Sequence, residues 1–158
     1  ASISEIRPRL FLGNLSSILD PQTVRNHNIK AGISLIGYPL KVWSTPEFAQ
    51  QIPQHSYFEC FGYGGQDILK LMSPCCDLID QYMSSPGGVV VHCVKGWSRS
   101  ASMVIAYVMR RHRRSWREAG KEVLKRREIC PNTHFLEQLR VWEEVEYNIW
   151  EDEDSVLP

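Results

Sequence analysis

Cys93 and Arg99 stand six positions apart in His92-Cys93-Val94-Lys95-Gly96-Trp97-Ser98-Arg99-Ser100. A cysteine thiolate is a potent nucleophile, and a guanidinium forks onto two phosphate oxygens while staying charged at any working pH. Ahead of them, Gly87-Gly88 and then Val89-Val90-Val91 predict a break followed by a short buried strand. Behind them, apolar residues from Ala101 to Met109 keep helical spacing. The residues between form a tight loop feeding a helix from a strand. In such a loop backbone N–H groups converge and the helix dipole adds partial positive charge, so it is built to hold an anion. Gly96 lets the backbone pass close to a bound group. Ser100 can donate a hydrogen bond to the sulfur when it must leave, and His92 is expected to orient the loop, since a thiolate needs no base. The amides from Val94 through Lys95, Gly96, Trp97 and Ser98 to Arg99 are the expected phosphate ligands. The chemistry is nucleophilic phosphoryl transfer.

His92 to Ser100 resembles the signature loop of the cysteine-dependent protein phosphatases, in particular the small dual-specificity type. Leu10-Phe11-Leu12-Gly13-Asn14 resembles that family's opening strand. Arg127-Glu128-Ile129-Cys130-Pro131-Asn132, followed by Phe135-Leu136-x-Gln138-Leu139, resembles its closing segment. The resemblance implies hydrolysis of phosphotyrosine, and of phosphoserine or phosphothreonine, in protein substrates through a phosphocysteine on Cys93. Arg99 and the loop amides would stabilise the transition state, and Ser100 would assist the second step. It also implies that Asn14 ties its loop to the phosphate loop by side-chain hydrogen bonds; Asn132 is expected to brace loops rather than touch substrate.

An ester oxygen that leaves poorly needs a proton. In the resembled family an Asp on the loop before a long amphipathic helix supplies it. Counting back from Asp67-Ile68, that position falls on Gly62. Three readings follow. Asp67 swings inward on the pliable Gly62, Gly64 and Gly65 as the general acid, against a plain role as N-cap or first-turn acid. Glu59 points from its strand toward the pocket, or into solvent. Or no acid exists, and phosphoserine and phosphothreonine suffer more than phosphotyrosine, whose phenolate leaves more easily. Two other functions stay open: a phosphate-binding or scaffold module with little turnover, and a phosphatase for a non-protein ester such as a phosphoinositide, an RNA end or a phosphoglucan.

The elements that must position these residues follow from spacing. A proline at the first helical turn after Asp20 predicts a helix over Pro21–His27, and Thr45-Pro46 starts another through Gln51. Strands are predicted at Ile33–Ile36 and Tyr57–Phe61, with broken extended pieces from Ile6 to Gly13 and a loop over Tyr38–Trp43. Ile68, Leu71, Met72, Cys75, Leu78, Ile79 and Tyr82 describe a long amphipathic helix. Ser115-x-x-Glu118 is a capping box for a helix to Arg127, and Phe135 to Ile149 mark the last helix. Strands alternating with helices predict one α/β domain over residues 1–150. Its expected core is a mixed, mostly parallel sheet flanked by helices, with the phosphate site at the carboxyl end of the middle strand and an acidic tail at 151–158.

Composition bounds the partners. The 158 residues, 43% apolar and 23% charged, suit a soluble globular domain. No apolar run approaches the ~18–20 residues of a membrane span, and no signal peptide opens the chain. Five cysteines lack the density of a disulfide scaffold, which predicts a reducing, cytoplasmic or nuclear setting. Cys60 and Cys130 read as small core residues, Cys75-Cys76 as part of an apolar helical face. Cysteines and histidines show no ligand spacing, so no metal or cofactor is expected; nor is a nucleic acid or a membrane, and the chain is expected to be a monomer. Net charge is zero, yet Arg110, Arg111, Arg113, Arg114, Arg117, Lys121 and Lys125–Arg127 form a basic sector. It reads as a solvated surface, or as an attractor of anionic substrates. Lys95 and Trp97 either line the rim of the site or point away; Trp43 and Tyr63 are further candidates for the pocket wall.

Overall fold

The computed structural model describes residues 1–62 and 66–148. Five strands form one sheet: β1 (Ile3–Arg7), β2 (Leu10–Gly13), β3 (Ile29–Ile36), β4 (Gln54–Glu59) and β5 (Gly88–His92). Their order is β1-β2-β5-β3-β4, with β1 antiparallel to β2 and the remaining pairs parallel. The predicted mostly parallel α/β sheet is therefore present, with β5 at its centre. Seven helices accompany it: α1 (Ser16–Leu19), α2 (Pro21–Asn26), α3 (Pro46–Gln51), α4 (Leu69–Met83), α5 (Arg99–His112), α6 (Trp116–Arg126) and α7 (Thr133–Glu144).

Strand alternation divides the core. Val89 and Val91 of β5, with Leu10, Leu12, Ile33 and Leu35 from its neighbours, pack against the large helical layer of α4 to α7. Val90 and Phe11 face a smaller cluster with Ile18, Val24, Phe48 and Ile52 of the opposite side. Both faces of β5 are buried, as a continuous Gly-Val-Val-Val-His run requires of a central parallel strand.

Several boundaries differ from expectation. β3 extends back to Ile29, because Ala31 and Ile33 pair with Val89 and Val91. β4 begins at Gln54 and ends at Glu59, leaving Phe61 outside the strand. The predicted loop over Tyr38–Trp43 contains part of a 3₁₀ turn, Lys41–Ser44. α5 starts at Arg99 itself, so the arginine belongs to the first turn of the helix. α7 ends at Glu144, short of Ile149, which lies outside the described residues together with the acidic tail. The Ser115–Glu118 capping box is present, each side chain bonded to the other's backbone N–H.

Candidate active site

The loop from Cys93 to Ser98 leaves the carboxyl end of β5, flanked by β2 and β3, and runs into α5. Its shape is over-determined. Gly96 has φ +74°, and a Cβ there would stand 2.6 Å from the Gly13 carbonyl oxygen, so glycine is required. Leu15 N–H donates to the Val94 carbonyl at 2.9 Å, Cys130 N–H to the Trp97 carbonyl at 2.9 Å, and Asn132 N–H to Ser98 Oγ at 3.1 Å. Arg127, 8% exposed, donates from Nε to the Gly96 carbonyl and from Nη2 to the Lys95 carbonyl, at 3.0 and 3.1 Å. With these carbonyls turned outward onto donors, the amides of Val94, Lys95, Trp97, Ser98 and Arg99 meet no acceptor among the described residues. That is the backbone pattern of an anion cradle.

Cys93 is buried at the base of this loop. Burial pushes its thiol up, but hydrogen bonds from Ser100 and Gly96 and the charge of Arg99 outweigh it, so the group lies below its ordinary value. Ser100 Oγ is 3.1 Å and Gly96 N 3.2 Å from Sγ. Cys93, Gly96 and Ser100 thus converge on one sulfur. Arg99 donates to the Cys60 carbonyl at 3.0 Å, which steadies its guanidinium at the edge of the site.

His92 is held neutral. Its Nδ1 lies 3.0 Å from the Cys93 carbonyl oxygen, a contact that requires the proton on Nδ1. Nε2 must then accept, and Ser34 Oγ donates to it at 2.6 Å. Having spent its proton, Ser34 accepts from His55 Nε2 at 2.7 Å. Burial holds both imidazoles at about 4. Trp43 packs on His55 with ring centroids 4.6 Å apart and so covers this relay. Register explains the contact, since Ser34 pairs with His92 across β3 and β5.

Three expectations need correction. Asn14 does not reach the phosphate loop through its side chain: Oδ1 accepts from the N–H groups of Ser2 and Ser17. The tie is the backbone bond from the next residue, Leu15, because Gly13 already ends the strand and turns the chain. Arg127 leaves the basic sector for the interior, where two loop carbonyls offer it better partners than water does. Cys130 is exposed rather than core. Asn132 donates its N–H to Ser98 Oγ and accepts from Phe135 N–H through its side chain at 2.8 Å. Lys95 and Trp97 are both exposed, the ammonium 4.7 Å from the indole centroid. Motif spacing indicated Cys93 and Arg99; Ser34, His55 and the buried role of Arg127 left no local signal, because each depends on a strand or segment distant in sequence.

The stretch before α4 is different. A Cβ at Gly62 would lie 3.4 Å from Arg99 Nε, so this is the position where a side chain would stand over the site, and it carries none. Gln66 accepts from Phe61 N–H at 2.8 Å, and Gln138 accepts from the N–H groups of Ile68 and Leu69 at 2.7 Å, closing the start of α4. Asp67 is exposed two residues ahead of α4, with Oδ1 3.4 Å from Lys70 N. Glu59 is exposed at the end of β4, and Tyr63 lies outside the described residues.

Comparison with known proteins agrees with this geometry. Residues 10–145 match the family model described as the dual specificity phosphatase catalytic domain. The chain is 50% identical over 141 residues to dual specificity protein phosphatase 26 of Bos taurus, covering 85% of this chain and 64% of that protein. It is 30% identical over 142 residues to dual specificity protein phosphatase 1B of Arabidopsis thaliana, with 89% and 81% covered. It is 34% identical over 151 residues to dual specificity protein phosphatase MPK-4 of Drosophila melanogaster, where 89% of this chain spans only 36% of that relative's length. Among solved structures, the human tyrosine phosphatase-like serine/threonine/tyrosine-interacting protein superposes with a TM-score of 0.80 at 29% identity, covering 91% of this chain and 97% of that one. The DUSP15 crystal structure superposes with a TM-score of 0.81 at 25% identity, covering 90% and 87%.

Proposed function

Because the chain belongs to the dual-specificity phosphatase family, we propose that it hydrolyses phosphomonoesters on protein substrates through a phosphocysteine at Cys93. The observation that carries this reading is the depressed Cys93 thiol at the base of a loop whose amides and Arg99 present only donors. In the first step Cys93 Sγ attacks phosphorus and the ester oxygen departs with its electron pair. Arg99 and the loop amides hold the phosphoryl oxygens, where charge accumulates in the transition state. In the second step water attacks phosphorus, the S–P bond breaks, and the Ser100 hydroxyl donates to the departing thiolate. His92, held neutral, orients the Cys93 carbonyl and takes no proton. No metal or cofactor enters either step.

Departure of the ester oxygen is the weak point. With Gly62 bare and Asp67 engaged at the start of α4, the leaving group receives no fixed proton, which favours phosphotyrosine over phosphoserine and phosphothreonine. Free cysteines at Cys60, Cys75, Cys76, Cys93 and Cys130 suit a reducing, cytoplasmic or nuclear compartment. Among the described residues no helix is long and apolar enough to cross a membrane.

The test is turnover of aryl phosphates of decreasing leaving-group quality beside Cys93→Ser. Activity lost in the variant and falling steeply along the series supports the reading. A flat series means that an acid is supplied. The bare Gly62 also favours a second reading, a phosphoprotein-binding module with little turnover; the likeness to a protein named phosphatase-like and interacting is in keeping with it. No difference from Cys93→Ser on the best leaving group would select that module.

A further inference from the structure

The face formed by α5, α6 and α7 bears an apolar groove of about 410 Å³ that the phosphate chemistry does not use. Ile105, Trp116, Leu124, Ile129, Pro131 and Leu136 line it. Leu124 is 54% exposed, unusual for a leucine on the inward edge of a helix. Gly120 lies mid-way along α6, and a Cβ there would meet nothing within 4 Å. Glycine inside a helix weakens it relative to alanine. Here no internal packing requires the glycine, and its absence of a side chain keeps the groove open.

The rim is cationic. Arg117 and Lys121 border the groove, and neither is in an ion pair among the described residues. The acids of the same helix are committed elsewhere: Glu118 to the capping box and Glu122 to Arg7 at 2.6 Å. The groove also abuts the active site through its own lining. Ile129 and Pro131 flank Cys130, whose N–H holds the Trp97 carbonyl of the phosphate loop.

We propose that this groove docks an acidic, amphipathic helical segment of the protein substrate, seating its apolar stripe over Gly120 and its carboxylates on Arg117 and Lys121. The proposal rests on the reading of the chain as a protein phosphatase. It gives that activity a source of selectivity outside the pocket: a substrate bearing such a segment is held beside the phosphate loop before reaction.

The probe is a fluorescein-labelled peptide of about four helical turns, with leucines at helical spacing and Asp/Glu flanks, beside the same peptide with Lys in place of each acid. The acidic peptide is expected to bind about tenfold more tightly than its charge-reversed counterpart. Gly120→Phe, which fills the groove, and the double variant Arg117→Glu/Lys121→Glu are each expected to weaken it by about tenfold. Neither variant should lower the melting temperature, and turnover of a free aryl phosphate should stay unchanged. A phosphotyrosine joined to the acidic peptide should then show a KM about tenfold lower at the same kcat, a gain lost in both variants. Equal binding of the two peptides, or undiminished binding to Gly120→Phe, overturns the proposal. So does binding that appears only after residues 149–158 are removed, since the chain's own acidic run would then be the occupant. Peptide binding without any aryl phosphate turnover would refute the phosphatase reading while leaving the docking groove standing.

Discussion

Two loops meet at Arg99, and they are built on opposite principles. The phosphate loop is held by donors from two distant segments of the chain, Leu15 and the stretch that carries Arg127, Cys130 and Asn132. Beneath it runs a hydrogen-bonded line from His55 through Ser34 and His92 to the nucleophile's own carbonyl. The stretch before α4 touches the same guanidinium with a carbonyl, at Cys60, and at Gly62 offers no side chain where a Cβ would lie 3.4 Å from Arg99 Nε. Electrostatic stabilisation of attack needs donors fixed before the substrate arrives, since reorganising them during reaction would cost what they gain. Leaving-group protonation needs one correctly placed acid, and none stands there among the described residues. Under the proposed mechanism, the groups for attack are preorganised and protonation of the leaving group is left to the substrate.

The comparison can be broken most severely at Arg127. Arg127→Ala removes the donors to the Lys95 and Gly96 carbonyls and is expected to lower kcat/KM by roughly 100-fold, the scale of losing a preorganised transition-state donor set. Arg127→Lys, which has no fork, should fall between variant and parent. Equal kinetics in parent and Arg127→Ala would mean that the loop keeps its shape without the brace.

It can be sharpened from the other side by Gly62→Asp, which places a carboxyl over Arg99. General acid catalysis should raise turnover of alkyl phosphates by about tenfold, below its usual range of roughly 100- to 10,000-fold, because Arg99 favours the ionised form. For the same reason the gain should grow as pH falls. A gain that is the same for aryl and alkyl esters would show that the new group acts by some route other than proton donation.

A smaller effect is expected from Ser34→Ala, which strands His92 Nε2 without its donor. The loss of roughly one neutral hydrogen bond predicts a two- to tenfold fall in kcat, with KM little changed. The relay also has a pH signature. His55 and His92 sit at about 4 in the folded chain against 6.5 when unfolded, so the unfolded state binds the extra protons. Stability should therefore be full above pH 6.5 and decline from there toward pH 4, as denaturant midpoints across that range would record. Ser34→Ala should alter the slope; a slope set by carboxylates alone would not respond.

The smallest change is expected at Asp67. With its carboxylate near Lys70 N–H, Asp67→Asn should leave aryl and alkyl turnover within about twofold, since the Asn amide oxygen can accept from the same N–H. A tenfold or greater loss confined to alkyl esters would instead make Asp67 the acid and close the gap between the two loops.

How much of this was legible in the chain varies with distance along it. Val89–Val91, Cys93, Gly96, Arg99 and Ser100 lie within a dozen residues, so their types and spacing suffice for a central strand, a tight turn and an anion site on a helix start. The vacancy at Gly62 was equally legible, by counting from Asp67-Ile68. Helix caps, being local, were read correctly at Ser115-x-x-Glu118, whereas the length of β3 was not, because pairing with β5 rather than propensity sets it.

The α/β class, the proposed nucleophile with its neighbouring cation, and the missing carboxylate at position 62 were determined by sequence alone, since each is carried by neighbouring residues or by a count between them. Tertiary structure decided the rest. It took Arg127 out of a basic run and buried it under the loop, and set Ser34 and His55 in line with His92 across three strands. It also left Gly120 open between Arg117 and Lys121. These outcomes follow from parallel register and helix packing, which bring together residues tens of positions apart, and no local pattern records which of them will meet.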